Sequence, residues 1–523
     1  MNPSVPVSFA AAVCKTAGVR FLQPVLRLSL LLLLVCGILV PQPVYGGFGG
    51  VSNAAAERVK ASELASVAER IEALISQSVT ADAVWAVSVR SEAGEELVRL
   101  NSNTPMRMAS NSKLFVTAGL LHGLGPTFRF RTTIYGDGEL VGDVWEGDIH
   151  IAGAGDPSID KYHYDDDAMH VFDALIRQLQ ERGITHISGD IFGNEGLFDD
   201  VRYPRGWEWD DLSYYYAPEI SALSFNRNCI DLTVRAVGPV GSEPQITWFP
   251  FNTDYVNLVN EQLITPRSVR FNESYARVLG TNTIMLRSTL PQGYLEKESL
   301  TITDPALFFI DSFSKQADFS GLSWIGELIP DQRQRNWSGF EKLASHESEP
   351  LAVLLRRVNA ESDNFYTEML TKSLAAYSLE AQGTTEAGLE LIFGELSALG
   401  LDTNQLRLRD ASGMASANLG TASVITALLH AMQSSPHHTE WENTFARAGY
   451  SGTLENRFIA SPVMGNMYAK TGFITGVRTL SGYLDVPSGT RLYFSILTNN
   501  FTSRVATVDS VHERILNLLW QEF

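Results

Sequence analysis

The sequence predicts an α+β fold, in which one antiparallel sheet is flanked by helices and carries a large β-rich insertion. Three observations support this prediction. Strand-like runs joined by short turns occur near both ends of the chain, at 83–101 and 466–500. Helical periodicity dominates from about residue 306 to 400. Residues 131–301 are again rich in strand-like runs, turns and aromatics, and we expect them to form an inserted module with two subdomains.

Local sequence patterns predict the helices and strands of the first half of the chain. A helix is predicted at 57–76, where apolar residues recur at helical spacing. Two strands then meet at the turn Glu92–Gly94, and a further helix follows Ser110. Within the insertion, the Asp137–Gly138 turn joins two strands, and a helix is expected from about 165 to 181 because Gly183 provides its end.

The second half closes the sheet. After four helical stretches, three strand-like runs at 466–473, 477–486 and 491–500 are joined by turns. A last amphipathic helix begins near Val505, and its apolar stripe predicts packing against the sheet. The first and last strands of the domain therefore come from opposite ends of the chain.

The first 46 residues have the pattern of an export signal. A cationic start is followed by the uncharged apolar run Leu28–Val40, which is short for a membrane span. We expect cleavage between 46 and 56 and a periplasmic location. The remaining chain then divides into one domain built from 57–130 and 302–523, and the inserted module 131–301.

Composition excludes one class of partner. The formal net charge is −19 at pH 7. Loss of the leader removes three positive charges and makes the net charge more negative. Because nucleic-acid binding requires a basic surface, we expect no nucleic-acid partner. Two of the three cysteines lie in the leader, so Cys229 has no partner for a disulfide within the mature chain.

Ser110 and Lys113 are the first candidates for chemistry. Lys113 occupies the first turn of a predicted helix, where the helix dipole disfavours a positive charge. Residues three apart share a helix face, so a buried, neutral lysine there would act as a base for the serine hydroxyl. A capping serine beside a surface lysine is the ordinary alternative, because this spacing alone is common.

Two further motifs favour the catalytic interpretation. Ser362–Asp363–Asn364 lies between two helical stretches, and Lys470–Thr471–Gly472 lies in a strand-like run. The order S-x-x-K, S-D-N, K-T-G matches penicillin-binding proteins and serine β-lactamases. The long interval between the first two motifs resembles the D-alanyl-D-alanine carboxypeptidase/endopeptidase family, peptidase family S13, also called penicillin-binding protein 4 or class C low-molecular-mass type. Segments such as "GWEWDD" and "RDASGMASANL" are also similar to that family.

The resemblance implies a penicillin-binding-protein/serine β-lactamase-like domain and a role for each of the first two motifs. Ser110 is expected to be the acylated nucleophile and Lys113 its base. Ser362 is expected to relay a proton to the leaving amine. Asn364 is expected to hold Lys113 and the substrate backbone.

The resemblance also implies how the third motif binds substrate. Lys470 and Thr471 are expected to bind the terminal carboxylate. Gly472 lets the substrate lie against the strand, since it has no side chain. The oxyanion hole is expected to consist of the backbone N–H groups of Ser110 and Phe473.

The family resemblance also places the "GWEWDD" segment beside the substrate groove. Asp211 is therefore expected to contact the free amino end of a diaminopimelate side chain, with Tyr216 packing against the peptide stem. The alternative is that Asp211 only caps a loop among the neighbouring aromatic residues.

The expected function is a serine-type D-Ala-D-Ala carboxypeptidase, and also a DD-endopeptidase, acting without a cofactor. Its partners are expected to be peptidoglycan stem peptides and β-lactam antibiotics, with a weak homodimer as a further expectation. Two alternatives stay open: a non-catalytic peptidoglycan-binding protein and a hydrolytic β-lactamase. We predict no metal site, and we interpret the acidic run Asp165–Asp167 between His163 and His170 as carboxylates at a helix N-terminus.

Overall fold

The computed structural model describes residues 66–250 and 253–523. The predicted export signal at 1–46 and the start of the helix predicted at 57–76 lie outside the described residues. In that helix the structure describes Val67–Ser76. Among the described residues, no helix combines the length and apolar character needed to cross a membrane.

A six-stranded antiparallel sheet forms the frame of the protein, and we call it the peptidase sheet. Its central strands are buried along nearly their whole length, because helices cover both faces. The first and last parts of the chain are joined here, since Val87 pairs with Ile496. In spatial order the strands are Glu96–Leu100, Val84–Arg90, Arg491–Asn499, Val477–Asp485, Met467–Ile474 and Ala446–Arg447.

Helices cover the two faces of the peptidase sheet. On one face, the C-terminal helix Val505–Glu522 packs against Val67–Ser76 and the strand Val477–Asp485, as its apolar stripe predicts. On the other face lies the helix Ser112–Leu124, which is apolar on all sides and buried through its first ten residues. The remaining helices of this part are Leu351–Asn359, Asn364–Leu379, Thr385–Ala398, Ala422–Gln433 and His438–Glu442.

A second, seven-stranded sheet belongs to the inserted part. Strands Arg131–Val141 and Val144–Ala152 form its central hairpin. The turn predicted at Asp137–Gly138 is wrong, because both residues lie within the first strand and the two strands are joined at 142–143. The helices His170–Glu181 and Pro305–Phe319 pack in the same apolar core. The other strands are His186–Ser188, Ile191–Asn194, Ser323–Ile325, Leu328–Asp331 and Glu341–Glu347. Because Glu341–Glu347 pairs with Arg131–Val141, the expected boundary at residue 301 is wrong, and we define the insertion as residues 131–347.

Three smaller sheets complete the insertion, and in the sequence their strands lie between the strands of the seven-stranded sheet at 131–194 and those at 323–347. One apolar core runs through the seven-stranded sheet and these smaller sheets alike. The expected division into two subdomains stays a prediction. The strands are Cys229–Arg235, Gln245–Phe249 and Leu295–Thr301 in one sheet, Asn257–Asn260, Tyr275–Arg277 and Thr283–Leu286 in a second, and Ile264–Thr265 with Leu290–Pro291 in a third. Outside the insertion, Met106–Arg107 pairs with Leu419–Gly420 just before the first motif.

Candidate active site

The first motif lies where a tight turn enters a helix. Ser110 belongs to the 3-10 turn Ala109–Asn111, and Lys113 lies in the first turn of the helix Ser112–Leu124. Ser110 makes no capping hydrogen bond to this helix, so the capping alternative is not what the structure describes. The Nζ of Lys113 lies 3.1 Å from the Oγ of Ser110. The lysine therefore faces the hydroxyl that it is expected to deprotonate.

Lys113 is fully buried and held by two further acceptors. Its Nζ donates to the Oδ1 of Asn364 at 2.6 Å and to the backbone carbonyl of Ser412 at 2.5 Å. Burial lowers the pKa of Lys113 to about 8, although nearby carboxylates, Asp410 first among them, oppose that shift. A pKa close to neutral leaves an appreciable fraction of Lys113 unprotonated and able to act as a base.

The second motif joins two helices through a strained residue. Ser362 has a φ of 65°, in the left-handed region that side chains other than glycine rarely adopt. Asp363 caps the following helix, because its carboxylate accepts from the N–H of Tyr366 at 3.1 Å. Asn364 connects Lys113 to the insertion, since its Nδ2 donates to the backbone carbonyl of Tyr216 at 2.8 Å.

The third motif lies within the strand Met467–Ile474 and brings a second buried lysine to the site. The Nζ of Lys470 donates to the Oγ of Ser362 at 2.7 Å and to the carbonyl of Thr471 at 2.8 Å. Burial, and then the charge of Lys113, hold the pKa of Lys470 well below its usual range. An approaching carboxylate would favour the protonated form of Lys470, which fits the role expected for it.

Gly472 allows the third motif to lie directly against the nucleophile. A Cβ at this position would stand 2.2 Å from the Oγ1 of Thr479 and 3.1 Å from the backbone nitrogen of Ser110. Only glycine fits here. Phe473 follows directly and is 37% exposed.

A turn at residues 410–415 carries the backbone carbonyl that accepts from Lys113. The carboxylate of Asp410 accepts from the N–H groups of Gly413, Met414 and Ala415. Gly413 has a φ of 89°, and a Cβ there would stand 2.1 Å from the carbonyl of Ala109. The turn therefore packs directly on the nucleophile turn and presents the carbonyl of Ser412 to Lys113.

Glu368 is a buried residue of the site that sequence reasoning missed. Its Oε1 accepts from the N–H groups of Ala411 and Ser412 at 3.0 and 2.8 Å, and it is fully buried in the helix Asn364–Leu379. Burial and the neighbouring Asp410 raise the pKa of Glu368 to about 8. The sequence carried one signal for this region, the "RDASG" segment, and none for Glu368 itself.

The structure brings Asp211 and Tyr216 next to the motifs. The hydroxyl of Tyr216 donates to the Oδ1 of Asp211 at 3.0 Å, and the carbonyl of Tyr216 accepts from Asn364. Asp211 is partly buried, and this burial raises the pKa of its carboxyl. Nearby, the indole N–H of Trp207 donates to Asp410 at 2.8 Å, so the insertion contacts the catalytic region at more than one point.

The acidic run between His163 and His170 has structural contacts. Asp167 accepts from the N–H of Met169 at 3.0 Å, just before the helix that begins at His170. The ring of His170 stacks on Tyr164 with 4.6 Å between centroids. The predicted helix start at about 165 is wrong, because Asp165 and Asp166 lie in a turn with positive φ and the helix begins only at His170. Of the three carboxylates, Asp167 alone approaches the start of this helix.

Taken together, the fold and the geometry bring a serine hydroxyl against a buried lysine of lowered pKa, an arrangement that can carry out serine hydrolase chemistry. The family is shown by comparison with known sequences. The chain belongs to the D-Ala-D-Ala carboxypeptidase 3 (S13) family, whose sequence model matches residues 67–515. The family and the serine-type D-Ala-D-Ala carboxypeptidase class expected from the motifs are thereby confirmed.

Two relatives agree with this membership. A D-alanyl-D-alanine carboxypeptidase of Actinomadura sp. (strain R39) is 30% identical over 490 residues, which cover 91% of this chain and 88% of that protein. The D-alanyl-D-alanine carboxypeptidase DacB of Haemophilus influenzae is 24% identical over 413 residues, covering 77% and 82% of the two chains.

The predicted fold is confirmed by a solved structure. The crystal structure of penicillin-binding protein 4 from Haemophilus influenzae matches with a TM-score of 0.76 at 20% identity, covering 86% of this chain and 99% of that one. The same protein in complex with a β-lactam matches with a TM-score of 0.70 at 19% identity, again over 86% of this chain and 99% of that one.

Proposed function

We propose that this protein hydrolyses the terminal D-Ala-D-Ala bond of peptidoglycan stem peptides, and the related bond of cross-links, through an acyl-enzyme on Ser110. The observation that carries the proposal is the 3.1 Å approach of the buried Lys113 Nζ to the Ser110 Oγ. A serine hydroxyl is a weak nucleophile until a base removes its proton, and Lys113, with a pKa of about 8, is suited to do so.

Acylation begins with transfer of the Ser110 proton to Lys113. The Oγ then bonds to the carbonyl carbon of the penultimate D-Ala, and the backbone N–H groups of Ser110 and Phe473 stabilise the oxyanion. As the C–N bond breaks, Ser362 delivers its hydroxyl proton to the departing amine, and free D-Ala leaves. Transfer of the proton held by Lys113 then restores the Ser362 hydroxyl and leaves Lys113 neutral. Water then attacks the ester with Lys113 again as base, which restores the Ser110 hydroxyl.

The substrate carboxylate is recognised by the third motif. Lys470 is buried beside Thr471, whose hydroxyl is within 2.8 Å of Thr453, so both groups are fixed before substrate binds. In a terminal stem the carboxylate belongs to the last D-Ala. In a cross-link the D-centre of diaminopimelate carries an equivalent carboxylate next to the amide nitrogen. Lys470 and Thr471 can therefore bind the carboxylate of either substrate, and this shared chemistry supports endopeptidase activity.

Asp211 is the proposed contact for the ammonium end of a diaminopimelate side chain. It lies beside Tyr216, whose backbone is hydrogen bonded to the catalytic Asn364. Burial raises the pKa of the Asp211 carboxyl, which disfavours its charged form. An approaching ammonium stabilises that charged form, because the ion pair favours the charged forms of both groups. Tyr216 is proposed to pack along the stem of the same side chain.

β-Lactams are proposed to acylate Ser110, because their strained amide and carboxylate imitate the D-Ala-D-Ala end. We further propose that the chain is exported to the periplasm, where its substrate lies, on the strength of the cationic and apolar leader at 1–46. A weak homodimer stays a further proposal that solution measurements of mass can test.

Labelling with a fluorescent penicillin separates the three candidate functions. Stable labelling together with release of D-Ala from a stem pentapeptide supports the peptidase. Rapid turnover of the drug without D-Ala release would support a β-lactamase, and no labelling would support a peptidoglycan-binding protein. Ser110→Ala should remove the label. Ser76→Ala, an exposed serine that bonds only to its own helix, is the matched control and should label like the wild type.

A further inference from the structure

Ser362 is held in an unfavourable backbone conformation, and something must maintain it. Its φ of 65° places a residue with a side chain in the left-handed region, which persists only where the surroundings enforce it. In this conformation its Oγ lies 2.7 Å from Lys470 Nζ. The next residue, Asp363, is fixed by contacts of both its backbone and its side chain.

Asp363 is anchored on several sides. Its backbone N–H donates to the carbonyl of Arg357 at 3.1 Å, and its side chain is only 7% exposed. The Nη2 of Arg357 lies 3.1 Å from its Oδ2, and the Nη1 of Arg227 lies 3.9 Å from the same oxygen. Two arginine charges therefore face one buried carboxylate. Arg357 belongs to the peptidase part, whereas Arg227 belongs to the insertion.

Arg227 is carried by an unusual turn. The three successive residues Asn226, Arg227 and Asn228 have φ values of 47°, 54° and 55°, all in the left-handed region. Side-chain amides hold this turn, since Asn226 Nδ2 donates to the carbonyl of Cys229 at 2.9 Å and Asn228 Nδ2 to that of Glu219 at 2.8 Å. Such a run of strained residues persists only where the surrounding structure enforces it.

The ring of Tyr162 keeps both arginines in place. The guanidinium carbon of Arg357 lies 3.8 Å from the centroid of this ring, and that of Arg227 lies 4.8 Å from it. The guanidinium planes are thus held by cation–π contacts as well as by Asp363. The side chain of Arg227 is only 6% exposed, so it faces the protein and not solvent.

We propose that Arg227 is a positioning residue of the insertion: through Asp363 it holds Ser362 in the conformation that delivers a proton to the leaving group. The inference rests on the proposed function, in which Ser362 protonates the departing amine. It also gives the insertion a catalytic purpose, because the peptidase part alone lacks this second charge on Asp363. Arg227 itself does not touch the substrate.

The test compares two leaving groups. An amide substrate ending in D-Ala-D-Ala needs a proton on its departing amine, whereas a thioester analogue with a thiolate leaving group does not. Arg227→Met removes the charge at similar volume, and kcat on the amide should fall about 10- to 100-fold, as expected when a reacting group is displaced. The loss on the thioester should be much smaller. Ser362→Ala should show the same selective pattern.

Two further variants complete the design. Arg227→Lys keeps the charge but loses the planar contact with Tyr162. Its kcat should again fall more on the amide than on the thioester, but by less than in Arg227→Met. This variant provides the test if Arg227→Met does not fold. Arg202→Lys alters an arginine of the insertion that pairs with Glu195 instead, and its amide-to-thioester ratio should be that of the wild type.

The outcomes separate this inference from the proposed function. Equal losses on amide and thioester in a folded Arg227 variant, or no loss, would overturn the positioning role while wild-type hydrolysis stands. If the wild type hydrolysed neither substrate, the proposed function itself would fail. Circular dichroism and the melting temperature establish that each variant is folded.

Discussion

The Nζ of Lys470 lies 2.7 Å from the Oγ of Ser362, 108 positions away in the sequence. This contact joins the third motif to the second, as the bond from Lys113 to Asn364 joins the first to the second. Two buried lysines thus flank the strained loop at Ser362. Burial lowers the pKa of both lysines, and the charge of Lys113 lowers that of Lys470 further.

The first prediction concerns pH. Lys113 must be unprotonated to accept the Ser110 proton, so the rate of penicillin acylation should rise with pH up to its pKa of about 8 and level off above it. Below that value the rate should fall about tenfold for each unit of pH. Stopped-flow measurement of acylation across this range provides the check. A midpoint near 10.5, the ordinary value for lysine, would contradict a base whose pKa is lowered by burial.

The second prediction concerns Glu368. With a pKa of about 8, Glu368 becomes negatively charged over the same pH range in which Lys113 loses its proton, and that charge raises the pKa of Lys113. Glu368→Gln removes this charge and should move the upper part of the rise of the acylation rate to lower pH. The amide oxygen can still accept from Ala411 and Ser412, so the turn should be retained. The measurement is the pH profile of acylation.

The exposed Glu390 of the helix Thr385–Ala398 offers a control for this change. Glu390→Gln should leave the pH profile where the wild type has it. An unshifted profile in a folded Glu368→Gln protein would mean that this carboxyl has no electrostatic effect on the base.

The third prediction concerns the carboxylate site. Lys470→Ala should reduce kcat/KM on peptides with a free terminal carboxylate by about 10- to 100-fold, the size expected for a lost charge-assisted hydrogen bond. The variant should also show a smaller difference in kcat/KM between these peptides and their C-terminal amides. Steady-state kinetics on the matched pair of peptides measures this preference.

Lys342→Ala alters an exposed lysine of the insertion and is the control for Lys470→Ala. It should keep the preference for the free carboxylate. If Lys470→Ala kept that preference unchanged, the third motif would not be the carboxylate site.

The fourth prediction concerns Asp211. Asp211→Ala should raise KM for diaminopimelate-containing peptides several-fold and leave the rate of penicillin acylation nearly unchanged, because the drug has no ammonium arm. The neighbouring Asp210 is more exposed, and Asp210→Ala should change neither quantity appreciably. Equal losses on peptide and drug would mean that Asp211 supports the fold and does not recognise substrate.

The sequence contained the catalytic motifs because their chemistry depends on residue types at fixed local spacing. Lys113 was detectable since a lysine in the first turn of an apolar helix contradicts helix electrostatics. The topology of the peptidase sheet was predictable as well, because strand patterns near both chain ends had to share one sheet. The C-terminal helix was located from its apolar stripe alone.

Long-range contacts were the part that local patterns could not reveal. The strands at 323–347 look like any other short strands, and only their pairing with the strands at 186–188, 191–194 and 131–141 assigns them to the insertion. Glu368 is one polar residue within a helix, and its burial beside Asp410 depends on the packing of distant segments. The contact between Arg227 and Asp363 likewise joins two residues that no spacing rule connects.

The most direct measurement is the site of the covalent adduct. We expect intact-protein mass spectrometry of the wild type after penicillin treatment to show one added drug, and peptide mapping to assign it to Ser110. Ser110→Ala, confirmed as folded by circular dichroism, should gain no mass under the same conditions. An adduct mapped to another residue, or an acylated Ser110→Ala protein, would contradict the assignment of Ser110 as the nucleophile.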